Sequence, residues 1–230
     1  MNAFLACYNG IIKFFTEKTK FIGEENLKEG PALIISNHEA AAGPLAWHFF
    51  FKHDKKLWAT HEMTEGLKAV FRYLAYNYFP RKRHVPGWLS VAIAFVACPF
   101  VNLIMKCMDP IPTYSEGILL LTTFRKSHAA VREGKKIVIF PEDSSEGYFK
   151  RPNAFFDGVA ALGHSLMKTG YDMPVVVSYF DKKSRTVIMR EEGLFTELWI
   201  KYPDRKLLTE ALRQSMLKLE ENRKRPPERP

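Results

Sequence analysis

A histidine at the end of an apolar run is the first residue of this sequence that could do chemistry. His38 and its neighbour Asn37 follow Ala32–Ile35, a run with the length and composition of a short buried strand. A histidine just beyond a buried strand has a rigid support and faces a cleft, so His38 is a candidate general base. The alternative is that His38 only caps the next helix or hydrogen-bonds its own loop.

A second polar segment has the same position relative to another apolar run. Lys136–Phe140 predicts a buried strand, and Pro141, Glu142 and Asp143 follow it directly. In an α/β sheet with right-handed crossovers, loops at strand ends gather at one edge and commonly form a ligand site. We therefore expect the two loops to meet, so that a histidine, a carboxylate and nearby cations form one site.

Predicted strands and helices alternate along the chain, which indicates an α/β fold with a mixed, partly parallel sheet flanked by helices. The predicted strands are 32–35, 56–60, 136–140, 173–180 and 185–189. The predicted helices are 3–16, one that begins with the apolar run 45–51, 63–78, 118–131, 155–168 and 206–220. The last two strands are expected to pair antiparallel across a short turn. We interpret residues 1–222 as one domain and the basic, proline-rich residues 223–230 as a disordered tail.

One uncharged stretch predicts contact with a membrane. No residue from Val85 to Met105 carries a charge, and about 20 apolar residues are enough to cross the hydrocarbon core as a helix. Pro99 and Asn102 favour a kinked or re-entrant segment, or a helix pair in one leaflet, over a simple span. The basic residues 81–84 would then lie at the cytoplasmic headgroups. We interpret about 85–106 as a hydrophobic insertion; the alternative is a buried core helix.

The composition favours a membrane over nucleic acid as the partner. Lys and Arg number 34 against 25 Asp and Glu, and the formal charge of +9 suits an anionic partner such as an acidic membrane surface. The 18 Phe, 9 Tyr and 4 Trp are typical of a membrane interface. Because the basic residues are scattered and no recognition motif occurs, we expect no nucleic-acid partner.

The N-terminal segment bears on where the protein works. Residues 3–16 place apolar side chains on one helical face with lysines close by, which predicts an amphipathic helix. Such a helix either packs on the core or rests on anionic lipid, and the segment alone leaves both open. It lacks the pattern of a secretory signal, and the three cysteines match no metal or redox spacing. We therefore expect a membrane-associated protein on the cytoplasmic face.

Four short motifs, in order, resemble those of the glycerolipid acyltransferases of the lysophosphatidic acid acyltransferase (PlsC-like) type. The matching residues are Asn37-His38, Ile111-Pro112, Phe140-Pro141-Glu142 and Met173-Pro174-Val175-Val176. Each match is weak alone, but four in order, each at a predicted strand or loop, are specific. The resemblance covers roughly residues 31–190 and identifies the chain as a divergent member of that family.

The chain departs from the family pattern at its acid and at its phosphate-binding arginines. Family members have an Asp five positions after the His, where this chain has Gly43. Asp143, Ser144 and Ser145 replace the Gly, Thr and Arg of the third motif. A second hypothesis is therefore a catalytically impaired relative that binds lipid or a partner. A third is a basic membrane-bound scaffold whose motif matches are coincidence.

The resemblance implies a membrane-associated acyltransferase with His38 as its general base. In the family the His takes a proton from a lysophospholipid hydroxyl, as on 1-acylglycerol-3-phosphate, and the hydroxyl attacks an acyl thioester of coenzyme A or acyl carrier protein. Membrane phospholipid is the implied partner, and no metal or other cofactor is expected. The implied substrate-binding residues are Asn37, Pro141, Glu142, Asp143, Ser144, Lys150 and Arg151. Candidates to replace the missing groups are Glu39, Glu142 and Asp143 for the acid and Arg125, Lys150 and Arg151 for the arginines.

Overall fold

Seven strands form one sheet within residues 3–114, 118–143 and 154–224, which the computed structural model describes. They are β1 (Lys20–Ile22), β2 (Leu33–Ile35), β3 (Lys55–Thr60), β4 (Ile111–Thr113), β5 (Lys136–Ile139), β6 (Pro174–Asp181) and β7 (Thr186–Leu194). The order across the sheet is β1-β7-β6-β2-β5-β3-β4. β6 and β7 pair antiparallel, and the other neighbours pair parallel. The predicted mixed, partly parallel α/β sheet is therefore confirmed.

Eight α-helices flank the sheet in this described part of the chain. They are α1 (Ala3–Phe15), α2 (Ala42–Phe50), α3 (Leu67–Tyr73), α4 (Gly87–Met108), α5 (Leu120–Arg132), α6 (Gly158–Lys168), α7 (Phe195–Lys201) and α8 (Arg205–Lys224). Because α8 continues to Lys224, the predicted start of the tail at residue 223 is too early. Residues 225–230 lie outside the described residues.

The predicted single helix over 63–78 is wrong in its form. α3 begins only after Gly66, and it runs directly into a wider, π-helical segment, Leu74–Lys82. Pro80 lies inside that segment, and a proline has no N–H for the helix ladder and clashes with the preceding turn. A wide turn accommodates this interruption, and such turns are frequent at functional sites.

The centre of the sheet is a trio of parallel strands whose side chains are buried on both faces. Residues 33–35 pair in register with 137–139 on one side and with 175–177 on the other. Successive side chains point to opposite faces, so residues 33 and 35 pack against α5, α6 and α8, while residue 34 packs toward α2 and α4. This two-sided burial fixes where the loops after β2 and β5 begin.

α4 is one continuous helix that includes Pro99, so the predicted pair of helices is wrong. Its buried residues recur every four positions, as expected of one helix face against the domain. They are Ser90, Ala94, Cys98 and Asn102, with Met108 near the end. Trp88, Phe95 and Phe100 point outward, and Phe95 is 75% exposed. Within the described ranges, α4 is the helix that is long and apolar enough to cross a membrane.

α1 lies against α4 and has no buried residue, so it is not a core-packing helix. The Tyr8 hydroxyl donates a hydrogen bond to the carbonyl oxygen of Phe100, at 2.9 Å. Phe4, Phe14 and Phe15 are exposed, Phe14 by 84%. The two helices together therefore present an apolar surface to the outside.

Candidate functional site

The loops after β2 and β5 meet, as the sequence predicted. β2 and β5 are parallel neighbours, so both end at the same edge of the sheet. The backbone N–H of His38 donates a hydrogen bond to Oε1 of Glu142, at 3.1 Å. The rings of His38 and Phe140 pack edge to face with their centroids 5.1 Å apart. His38 and Glu142 therefore belong to one site. If the motif matches were coincidence, as in the third hypothesis, these two residues would have no reason to lie together.

Asn37 holds the backbone from which His38 projects. Its Nδ2 donates to the carbonyl oxygen of Phe180 at 3.0 Å, and its Oδ1 accepts from the N–H of Phe180 at 2.6 Å. The side chain is only 3% exposed. Asn37 thus ties the end of β2 to β6, and the geometry gives it a positioning role in place of the predicted contact with substrate.

The segment after β5 is held by backbone pairing at its base. The N–H of Phe156 donates to the carbonyl oxygen of Pro141 at 2.8 Å, and the N–H of Asp143 donates to that of Ala154 at 3.0 Å. Pro141 is buried, and Glu142 and Asp143 are half-buried beside the His38 loop. The other predicted contacts, Ser144, Lys150 and Arg151, lie outside the described residues. Arg125 is exposed on α5.

Gly43, at the position of the family's acid, packs directly against the His38 backbone. A Cβ atom there would lie 3.0 Å from the carbonyl carbon of His38 and still closer to its oxygen. Only glycine allows this approach without a shift of the backbone. Glu39 and Ala40 complete the loop with positive φ angles of 45° and 54°. The loop is therefore closed by backbone contact at the position where the acyltransferases that the motifs resemble have an Asp.

An apolar cavity of about 220 Å³ lies beside His38. Its walls come from the His38 loop, β3, the π-helical segment and the inner face of α4. The contributing side chains include Leu57, Tyr73, Tyr78, Phe79, Val101 and Met105. A mostly apolar cavity with a few polar groups at one wall suits an apolar chain that ends in a reactive polar group.

Burial shifts the two acid–base groups of the site in opposite directions. Burial, with the ammonium of Lys82, lowers the pKa of His38 to about 4, while hydrogen bonds with the backbone of Ala40 and of His38 itself act in the opposite direction. Burial raises the pKa of Glu142 to about 7; the His38 N–H opposes this shift and the charge of Glu39 adds to it. At neutral pH His38 is therefore neutral and able to accept a proton, and Glu142 is close to half ionised.

Glu39 interacts with the β6–β7 turn as well as with Glu142. Burial raises the pKa of Glu39, while the charge of Lys182 lowers it and that of Asp181 raises it again. Both neighbours belong to the β6–β7 turn, where the Asp181 carboxylate accepts hydrogen bonds from the backbone of Lys183 and Ser184. Glu142 accepts a hydrogen bond from the backbone N–H of His38.

Lys82 is a site residue that the sequence did not single out. The sequence placed it with the other basic residues of 81–84 at lipid headgroups. Its charge is felt at His38, and its ammonium lies 5.9 Å from the ring centroid of Tyr73. No sequence pattern separates Lys82 from Arg81 and Arg83, because the twist of the π-helical segment decides which of them points inward.

No protein-family model, no curated protein and no solved structure matches this chain. No group of three His, Cys, Asp or Glu side chains suited to a metal ion occurs in residues 3–114, 118–143 and 154–224. The motifs and the geometry around His38 are therefore the basis for a proposed function.

Proposed function

We propose that this protein is a membrane-associated acyltransferase. It moves a fatty acyl group from a thioester of coenzyme A or acyl carrier protein to the hydroxyl of a lysophospholipid such as 1-acylglycerol-3-phosphate. The observation that carries the proposal is the placement of His38 at the wall of the apolar cavity, with Glu142 bonded to its backbone. The cavity suits the acyl chain, and the neutral imidazole suits the hydroxyl proton.

Glu142 takes part of the role that the missing Asp has in the family. An orienting acid fixes the ring and tautomer of its histidine. Glu142 instead accepts from the backbone N–H of His38, so this contact fixes the loop from which the ring projects. When Glu142 is ionised, its negative charge close to His38 also favours the protonated imidazole that forms during transfer.

The surface of α1 and α4 supports the membrane part of the proposal. Exposed aromatic side chains cover it, and Lys13, Lys18 and Lys20 lie in or just after α1. Apolar aromatics with flanking lysines are typical of a surface that rests on anionic lipid, here on the cytoplasmic face. Because the inner face of α4 lines the cavity, the lipid-facing helix and the acyl cavity share one wall.

The test is acyl transfer by purified protein with acyl-CoA and a lysophospholipid. We expect a new ester in the wild type, and a rate about 10²–10⁴-fold lower in His38→Ala, since a positioned general base contributes that much. His53→Ala is the matched control, because His53 precedes β3 at the opposite edge of the sheet. A His38→Ala variant with the wild-type rate would show that the assigned base is wrong.

The second candidate function is lipid binding without catalysis. The close approach of Gly43 to His38 favours it, since this loop has no room for an acid at that position. Loss of the orienting carboxylate lowers the rate by about 10⁴ in a Ser-His-Asp enzyme. Saturable binding of lysophospholipid vesicles, with no ester formed from any thioester tested, would favour this candidate over acyl transfer.

A further inference from the structure

Three consecutive basic residues face two different environments. Arg81 and Arg83 are exposed, while Lys82 between them is half-buried. Lys82 ends the π-helical segment, and the N–H of Val85 donates to the carbonyl oxygen of Phe79, at 3.0 Å, to close the turn behind it. The local backbone therefore directs one ammonium group inward and the two flanking guanidinium groups toward solvent.

The ammonium of Lys82 lies over the ring of Tyr73, a residue that lines the cavity. It is 5.9 Å from the ring centroid of Tyr73, and Tyr73 and His38 line the same cavity. Its charge lowers the pKa of His38. Burial lowers the pKa of Lys82, and the charges of Asp143 and Glu62 partly oppose this shift.

We propose that Lys82 is a catalytic residue whose ammonium group stabilises the oxyanion formed on the thioester carbonyl. The inference rests on the acyltransferase function proposed above. The acceptor oxygen bonds to the carbonyl carbon, its proton passes to His38, and the carbonyl π electrons move onto the oxygen beside Lys82. The carbonyl then re-forms, the C–S bond breaks, and the departing thiolate takes the proton from His38.

The surroundings of Lys82 favour a single developing charge over a bound phosphate. The carboxylates of Asp143 and Glu62 already act on this lysine, and they would repel a dianionic phosphate more strongly than a single oxyanion. The apolar walls of the cavity lower the local dielectric, so this attraction is stronger there than in water.

The kinetic test is Lys82→Met, with Lys82→Arg and Lys126→Met beside it. We expect Lys82→Met to lower kcat by about 10²-fold with little change in KM, as loss of one oxyanion-stabilising donor does. Lys82→Arg should restore part of the rate. Lys126, exposed on α5, gives the same substitution away from the cavity and should leave kcat unchanged. A loss confined to KM for the lysophospholipid would overturn the proposal in favour of headgroup binding.

A second readout does not depend on activity. The pKa of His38, followed by NMR of its ring C–H, should rise in Lys82→Met and stay low in Lys82→Arg and Arg81→Met. If Lys82→Met does not fold, Lys82→Gln removes the same charge with a polar side chain. An unchanged His38 pKa in the folded, charge-free variant would overturn the proposal.

The two proposals fail in different ways. A wild type that forms no ester from any thioester contradicts the acyltransferase function, and the catalytic role of Lys82 with it. A wild type that forms the ester while Lys82→Met keeps its kcat contradicts only the role of Lys82.

Discussion

His38 and His48 share a chemical property but have different neighbours. Burial lowers the pKa of each to about 4, with a lysine adding to the shift in both cases, Lys82 near His38 and Lys55 near His48. His48 Nε2 is hydrogen-bonded to Oδ1 of Asn9, at 2.8 Å, and so ties α2 to α1. His38 instead borders the apolar cavity. A lowered pKa therefore reports burial, whereas the cavity distinguishes the candidate base.

The difference assigns the two regions separate tasks. The His38 region brings together a base, a carboxylate and a cation at the end of the parallel sheet. The His48 region fastens α1, whose aromatic side chains form much of the proposed lipid-facing surface. Perturbed pKa values cluster at functional sites but also occur in structural contacts, and these two histidines illustrate both.

The largest expected effect separates the two histidines directly. His38→Gln should lower the rate of acyl transfer by about 10²–10⁴-fold, because an amide cannot accept the hydroxyl proton. His48→Gln keeps a hydrogen-bonding side chain toward Asn9 and should stay within about threefold of the wild type, as it takes no part in proton transfer. Both variants are assayed on detergent-solubilised substrate. A similar loss in the two would remove the distinction.

Glu142→Gln should change the pH profile of the reaction. As the pH rises through about 7, Glu142 loses its proton and becomes a stronger acceptor for the N–H of His38. We expect the wild-type rate to rise across this range. His38 does not contribute to this inflection, because it becomes protonated only near pH 4. The variant should lose the inflection and about tenfold or more in rate, equivalent to one hydrogen bond to a charged group. If the pH–rate profile of the variant still had an inflection near pH 7, that inflection would belong to another group.

Gly43→Ala should destabilise the His38 loop. The added methyl group would overlap the carbonyl of His38, so the backbone must move, at a cost of about 1–3 kcal/mol in the free energy of unfolding. Gly10→Ala, in α1 with nothing within 4 Å of the added atom, should be neutral or stabilising. Denaturant unfolding of both variants measures the difference. Equal stabilities would mean that the Gly43 contact is dispensable.

The smallest effect concerns His48 and the dependence of stability on pH. The folded-state pKa of His48 is about 4, below the ordinary value of 6.5, so the unfolded state binds more protons between these values. The free energy of unfolding should therefore rise with pH over this window, and His38 contributes in the same direction. Glu142, with its raised pKa, opposes both between about 4.5 and 7.

His48→Gln should reduce the slope of the free energy of unfolding against pH, by an amount that corresponds to at most one bound proton. Denaturant titrations at several pH values from 4.5 to 6.5 compare the variant with the wild type. A slope that does not change would mean that His48 titrates alike in the folded and unfolded states, contrary to its burial.

Much of the fold could be predicted because its determinants are local. The apolar runs at 33–35, 137–139 and 175–177 are long enough for strands, too short for helices, and separated by helical segments. Parallel order then brings the ends of β2 and β5 together, so the meeting of His38 and Glu142 followed from topology.

The rest of the site depends on contacts that no local pattern contains. Gly43 meets the His38 backbone because the loop folds back through two positive φ angles. Lys82 turns inward because the helix widens around Pro80. The sequence predicts Asn37 as a substrate contact, but both ends of its amide are hydrogen-bonded to the backbone of Phe180, which is distant in sequence.

The most direct test of the central claim follows both products of the reaction in one preparation. Free thiol from acyl-CoA and new ester on the lysophospholipid should appear at a one-to-one ratio, only when both substrates are present, and neither should form appreciably with His38→Gln. Thiol release that does not depend on the lysophospholipid, or ester formed at the same rate by His38→Gln, would contradict acyl transfer with His38 as its base.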